Sequence, residues 1–197
     1  MNYMENDEKL LSPEENLRLI GQMISLAKHS ILDKGFHYLL WGCLICIAST
    51  ADYILLKAGR VHTHYYVWFI LPVVGILISV WYNYVHYSKT KSHLGSIINS
   101  LWVGFLFTGL LVFANGILGD PTAILRDFML LMGFAIFVSG SIIRFRALII
   151  GGIVYWLAGL ACMFLAYPEQ LLANALAALL GSVVPGILLK LKFGRNV

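Results

Sequence analysis

The chain has 197 residues, 59% of them hydrophobic and only 12% charged, with a formal net charge of +4. A soluble domain carries about 25% charged residues. Here the charges cluster between long apolar stretches, which excludes an ordinary soluble globule and leaves no room for a separate soluble domain of any size. No basic patch interleaved with aromatics lies on a polar surface, which argues against nucleic-acid binding.

Residues 1–35 read as a polar cytoplasmic leader. Within it, 12–33 predicts a separate amphipathic helix: Ser12 caps it, Pro13 suits the first helical position and Glu15 completes a capping box. At 100° per residue, Leu17, Ile20, Met23, Ile24, Ala27 and Ile31 fall on one half and Glu14, Arg18, Gln22, Ser25 and Lys28 on the other. Such a face rests on the bilayer surface, on the protein's own bundle, or on a protein partner or second copy. Its polar side carries both signs of charge, so it is not a polybasic lipid sensor. No small-residue cleavage site follows the first apolar stretch, so that stretch is expected to stay in the mature protein.

Six transmembrane helices follow, at about 36–56, 65–85, 96–118, 124–143, 147–166 and 170–190. Together they make one all-α bundle over 36–190, with a short cytoplasmic tail at 191–197. With the N-terminus inside, the inner segments carry 11 Lys and Arg and the outer loops only Lys57, Arg60 and Arg126. That asymmetry predicts both termini in the cytoplasm. Trp41, Trp102 and Trp156 open helices 1, 3 and 5, and Pro72, Gly133 and Pro185 lie about 30 residues after each. This spacing suggests three hairpin repeats, though Trp and Gly are common in membrane helices anyway.

Helices in lipid associate through small residues rather than by hiding apolar surface. Gly42, Cys46 and Thr50 form such a row, as do Gly75 and Ser79, then Ala158, Cys162 and Ala166, and finally Ala173, Ala177 and Gly181. Pro72 and Pro185 are expected to kink their helices, with a structural role favoured over a transport role for both.

Asp52 is the one acid well inside a predicted span. It is read either as a structural ion pair with Lys57, Arg60 or Arg126 or an interfacial position, which is favoured, or as a proton or cation site. With Asn115, Arg126 and Asn174 it could line a polar mouth at the outer ends of the helices, near Asp120, Asp127, Glu169 and Gln170. The simpler reading is that loop ends are polar in every membrane protein. Arg144 and Arg146 flank a very short inner turn, suited to lipid phosphates and equally to topology control. His37, His86 and His93 lie near the inner boundary rather than deep in the bundle, which disfavours haem. His62 and His64 lack a third ligand for zinc, and the Cys43–Cys46 pair sits in the half of the membrane where no redox relay is expected. No catalytic motif is present, so no catalytic residue, metal or cofactor is assigned.

The segments ENLRLI, FHYLLWG, SLWVG, IIRFRALIIGGIVYW and VVPGILLK resemble a family of small bacterial six-helix inner-membrane proteins with no assigned activity. The resemblance implies a bacterial inner-membrane location and a six-helix bundle, and it supplies no site residues. The resulting expectation is a non-enzymatic signalling, regulatory or accessory module contacting lipid and a partner. A solute or ion transporter using Asp52 is the alternative, and an intramembrane redox or other enzyme the least favoured.

Overall fold

The computed structural model describes residues 13–85 and 93–194, and every regular element among them is helical. Helix α1 runs Pro13–Lys57, α2 Val67–Val85, α3 His93–Leu118, α4 Ala123–Ile143, α5 Arg146–Ala161, α6 Tyr167–Ala178 and α7 Val184–Gly194. Tight 3-10 turns at His64–Tyr66 and Cys162–Phe164 extend α2 and α5, and a wide π turn at Leu179–Val183 joins α6 to α7. Six helical runs are long and apolar enough to cross a membrane, at Gly35–Lys57, His64–Val85, Gly95–Leu118, Ala123–Ile143, Arg146–Phe164 and Tyr167–Lys192. They fall within a few residues of the predicted spans, because hydropathy over 20 residues is a strong signal.

The leader and the first span form one continuous helix, not two. Nothing between Pro13 and Lys57 supplies a stop signal: no proline follows Pro13, and Gly21 and Gly35 are each isolated. The side chains of the expected amphipathic face, and of His86 and His93, lie outside the described residues.

Turn chemistry sets the remaining boundaries. Gly59 takes a positive φ of 78°, and Arg60 N–H reaches back to the Leu55 carbonyl at 3.0 Å, closing α1. Arg144 ends α4 in the same left-handed region, with φ 56°, and Phe145 N–H bonds the Gly140 carbonyl at 2.9 Å. The chain thus reverses over two residues, and α5 returns along α4.

Burial separates the helices into a centre and a periphery. About half of the span windows in α4 (50%) and in the α6–α7 run (56%) is buried, against 6% for α2 and 11% for α3. α4 packs chiefly on α5, and α1 on α6, the π turn and α7. Glycine makes the first seam possible. A Cβ on Gly152 would lie 2.6 Å from Phe137 Cβ and 2.7 Å from the Gly133 carbonyl, so the two backbones nearly touch. Trp156 lies over the same seam and donates its indole N–H to the Leu130 carbonyl at 3.0 Å. On the other seam, Gly42 leaves room for Ser182 and Val183.

Three equivalent hairpins would each pack mainly on themselves. Instead α1 makes more contact with the sixth run than with α2. Pro185 acts through the π turn: it offers no N–H, its ring would strike the carbonyl four residues back, and the turn before it widens until Val184 N–H reaches Leu179 O. Pro72, in contrast, sits within α2 without interrupting it. Between α3 and α4, an apolar groove of about 220 Å³ is lined by Leu101, Gly104, Phe105, Thr108, Phe134 and Ala135, among others.

Candidate functional site: a buried carboxylate and its three partners

Asp52 stands on the face of α1 that turns toward α6, and its side chain is fully buried. A carboxyl group in that position must find hydrogen-bonding partners, because leaving a buried charge unsatisfied costs several kcal/mol, as an order of magnitude. Three segments provide them. His64 Nδ1 approaches Oδ1 at 2.6 Å; Trp68 Nε1–H donates to Oδ2 at 2.8 Å, and the Tyr167 hydroxyl donates to the same oxygen at 3.2 Å. The 3-10 turn brings His64 inward, the first turn of α2 brings Trp68 one helical step later, and the start of α6 brings Tyr167. One acid therefore ties together α1, the turn before α2, α2 itself and α6.

This corrects the expected pairing with Lys57, Arg60 or Arg126. Lys57 is exposed, with its ammonium 5.7 Å from the centre of the Tyr53 ring, and Arg60 is exposed in the turn. Arg126 bonds its own neighbour Asp127 at 3.1 Å. A guanidinium or ammonium keeps its water when it can, whereas indole and phenol donors bring apolar bodies that fill the space around the acid.

The four residues expected at a polar mouth divide. Asn174 lies with Asp52 on the α1–α6 seam, where its amide donates to Ser49 Oγ at 2.9 Å. Both are buried, and Ser49 is one turn from Asp52. Asn115 is exposed at the end of α3, and half-buried Arg126 is engaged by Asp127; neither is among the partners of the carboxylate. Gln170 spans the turn into α6 instead, donating to the Cys162 and Leu165 carbonyls at 3.0 Å each. Glu169 is exposed.

Between α5 and the π turn, the Tyr155 hydroxyl meets Ser182 Oγ at 3.2 Å. Beyond it the Tyr38 hydroxyl approaches Ser139 and Trp102 without reaching hydrogen-bonding geometry with either. Buried polar groups thus recur along α1 from Asp52 to Tyr38.

Arg144 and Arg146 are exposed on either side of buried Phe145, with the Lys192 ammonium 5.4 Å from the centre of that ring. Cys43 and Cys46 are free thiols and half-buried, and Cys162 is buried against Met129 at 3.7 Å between the sulfurs. Among the described residues, no group of three or more His, Cys, Asp or Glu side chains could hold a metal ion.

Chemically, the arrangement fixes one buried carboxylate among polar groups from three other segments of the fold. His64 turns Nδ1 to the acid, and its side chain is 14% exposed while that of Asp52 is 0%. The imidazole therefore links a sealed carboxylate to the surface. His64 stood out in the sequence only as half of a His-x-His, and Trp68 and Tyr167 did not stand out at all. Their one signal was position, as neutral donors at the ends of the apolar runs level with Asp52. In comparison with known proteins, the chain matches no family model, no curated protein and no solved structure.

Proposed function

We propose that the chain is a non-enzymatic regulatory or accessory module of a bacterial inner membrane, with both termini cytoplasmic, acting through a protein partner or second copy engaged by the leader. One observation carries the reading. The intramembrane acid is sealed, with His64 Nδ1 against one oxygen and the Trp68 and Tyr167 donors on the other. A transport site needs an acid that its cargo can reach, whereas a sealed acid joining four segments serves to hold or release a conformation. The 11 to 3 distribution of Lys and Arg supports the orientation. The resemblance to small bacterial inner-membrane proteins supports the location.

The test has two arms. Removing residues 1–33 should leave the bundle folded, as read by its thermal melt in detergent, and abolish a cross-linked complex formed in the native membrane. A complex unchanged by the deletion refutes the role of the leader. Proteoliposomes of the full chain should show no proton or cation flux.

A second reading, a small proton or cation carrier, draws on the buried polar groups Asp52, Ser49, Asn174, Tyr155, Ser182, Ser139 and Tyr38, spread over α1, α4, α5 and the α6–α7 run. Flux that disappears in Asp52→Asn would put it first.

A further inference from the structure

We infer that the α4–α5 reversal binds the headgroup of an anionic phospholipid, held by Arg144, Arg146 and Lys192 around the ring of Phe145. Such a site needs only the apolar runs that cross the bilayer, whatever the leader engages.

The reversal sets the charges in place. α4 ends at Ile143, α5 begins at Arg146, and Phe145 between them is buried. Arg144 and Arg146, on either side of it, are exposed. From α7, the Lys192 ammonium lies 5.4 Å from the centre of the Phe145 ring. That cation–π contact fixes a third positive charge at the same corner. Lys190, two residues back and about 200° around α7, lies over Phe36 instead, 5.1 Å from the ring centre.

The two arginines find no acid in the bundle. Among the described residues the ion pairs are His64–Asp52 and Arg126–Asp127, so neither Arg144 nor Arg146 has an acidic partner there. No acid occupies the first turn of α5. The acid nearest to Arg144 along α4 is Asp127, about 26 Å away at 1.5 Å per residue. Like charges gathered at one corner repel, and a bound anion removes that repulsion.

Basic residues at helix ends also orient a chain, but orientation depends only on the side of the membrane they occupy. Two features go further. Arg144 has φ 56°, in the left-handed region where an L side chain is strained and glycine is not. Gly59 makes the corresponding step at the end of α1. An arginine one place away would orient the chain equally well without that strain, so the strain serves to keep a guanidinium at this corner. The second feature is the face below Arg146. Ile150, Ile153 and Leu157 follow it at spacings of four, three and four, which is one side of α5, and all three are exposed.

Depth then selects the anion. Arg146 opens one apolar run and Lys192 closes another, so these charges lie where hydrocarbon gives way to headgroups. A phosphodiester at that level, with an acyl chain along Ile150, Ile153 and Leu157, meets both the charged and the apolar part of the surface. Arginine suits it because the guanidinium fork donates two bonds to phosphate oxygens. A lipid with a net negative charge is preferred to phosphatidylcholine, whose own ammonium the three cations repel.

The experiment is lipid retention by the intact chain. The chain is immobilised in dodecyl maltoside with equimolar phosphatidylglycerol and phosphatidylcholine, then washed in detergent alone, and the retained lipids are quantified by mass spectrometry. Phosphatidylglycerol should be retained in preference. Arg146→Gln and Lys192→Gln should each lower that preference about fivefold, the contribution of one basic residue at an anionic lipid surface. Arg144→Gly should lower it as much while raising the thermal midpoint in the same detergent, because the left-handed strain is relieved. It also serves where Arg146→Gln fails to fold. Lys190→Gln removes an equal charge on the other side of α7 and should leave the preference unchanged. Equal retention of the two lipids by the wild-type chain would overturn the inference. So would an unchanged preference in Arg144→Gly, or a loss in Lys190→Gln as large as that in Arg146→Gln, which is the result that charge count alone gives. Displacement of the retained lipid by inorganic phosphate in the wash would overturn it too, since the corner would then take a soluble anion.

Discussion

Replacing Gly152 by alanine tests whether close packing holds the centre of the bundle. The new methyl would lie 2.6 Å from Phe137 Cβ, 2.7 Å from Phe137 N and 2.7 Å from the Gly133 carbonyl. Ordinary carbon contacts are about 3.5–4.0 Å, so α5 must withdraw by roughly 1 Å. Two of the three obstacles are backbone and cannot rotate away. Such overpacking costs about 1–3 kcal/mol. Withdrawal also lengthens the 3.0 Å bond from Trp156 to Leu130, which is worth about 1 kcal/mol. The expected loss is therefore about 2–4 kcal/mol. Gly104→Ala is the control, since its methyl would meet nothing within 4 Å. It should be neutral, or stabilising by up to about 1 kcal/mol through helix propensity. Reversible unfolding in mixed micelles, followed by circular dichroism, gives both values. Equal stability of the two variants would refute the claim that backbone approach between α4 and α5 carries the fold.

Three further outcomes follow from particular bonds. A double-mutant cycle on Ser49→Ala and Asn174→Leu should return a coupling of about 0.6 kcal/mol, the average for hydrogen bonds between membrane helices, and at most about 1.7 kcal/mol; a coupling near zero in the same unfolding assay would remove that bond as a fastening. Trp156→Phe should cost about 0.5–1.5 kcal/mol, because the indole bond is lost while the ring keeps its contact with Phe137, 5.1 Å away. The Asp120 carboxyl lies below the usual carboxylate range, chiefly because it accepts the Thr122 hydroxyl and then the Thr122 amide. A lowered value in the folded state stabilises above about pH 4, the range where the unfolded acid is already ionised, and that contribution is lost as pH falls through the lowered value. Thr122→Val should raise the Asp120 midpoint in a carbon-13 carboxyl titration, and an unmoved midpoint would count against the hydroxyl as its cause.

The six spans were legible because each is a long apolar run closed by recognisable turn residues, such as Gly59, Pro121 and Pro168. Asp52 stood out for the same reason, as an acid inside such a run. Its partners did not, because charge alone pointed to Lys57, Arg60 and Arg126, while the donors are decided by reach and by what fills the space. Trp68 and Tyr167 look like ordinary interfacial aromatics until the helices are assembled. Spacing by four found Gly42 and Gly181 but passed over Gly133 and Gly152, which matter only because α5 reverses onto α4. The two-residue reversal through Arg144 gave no glycine to announce its left-handed step.

Helix α1 runs 45 residues without a break. At 1.5 Å per residue, Pro13 lies about 58 Å along the axis from Asp52, roughly twice the thickness of a bilayer's hydrocarbon. Length of this kind gives mechanical advantage. A tilt of about 5° about the buried acid, carried along the axis, sweeps the far end sideways by about 5 Å, a displacement comparable to one helical turn. A rearrangement too small to open the bundle thus becomes, at Pro13, a step large enough to change which neighbour that end can touch.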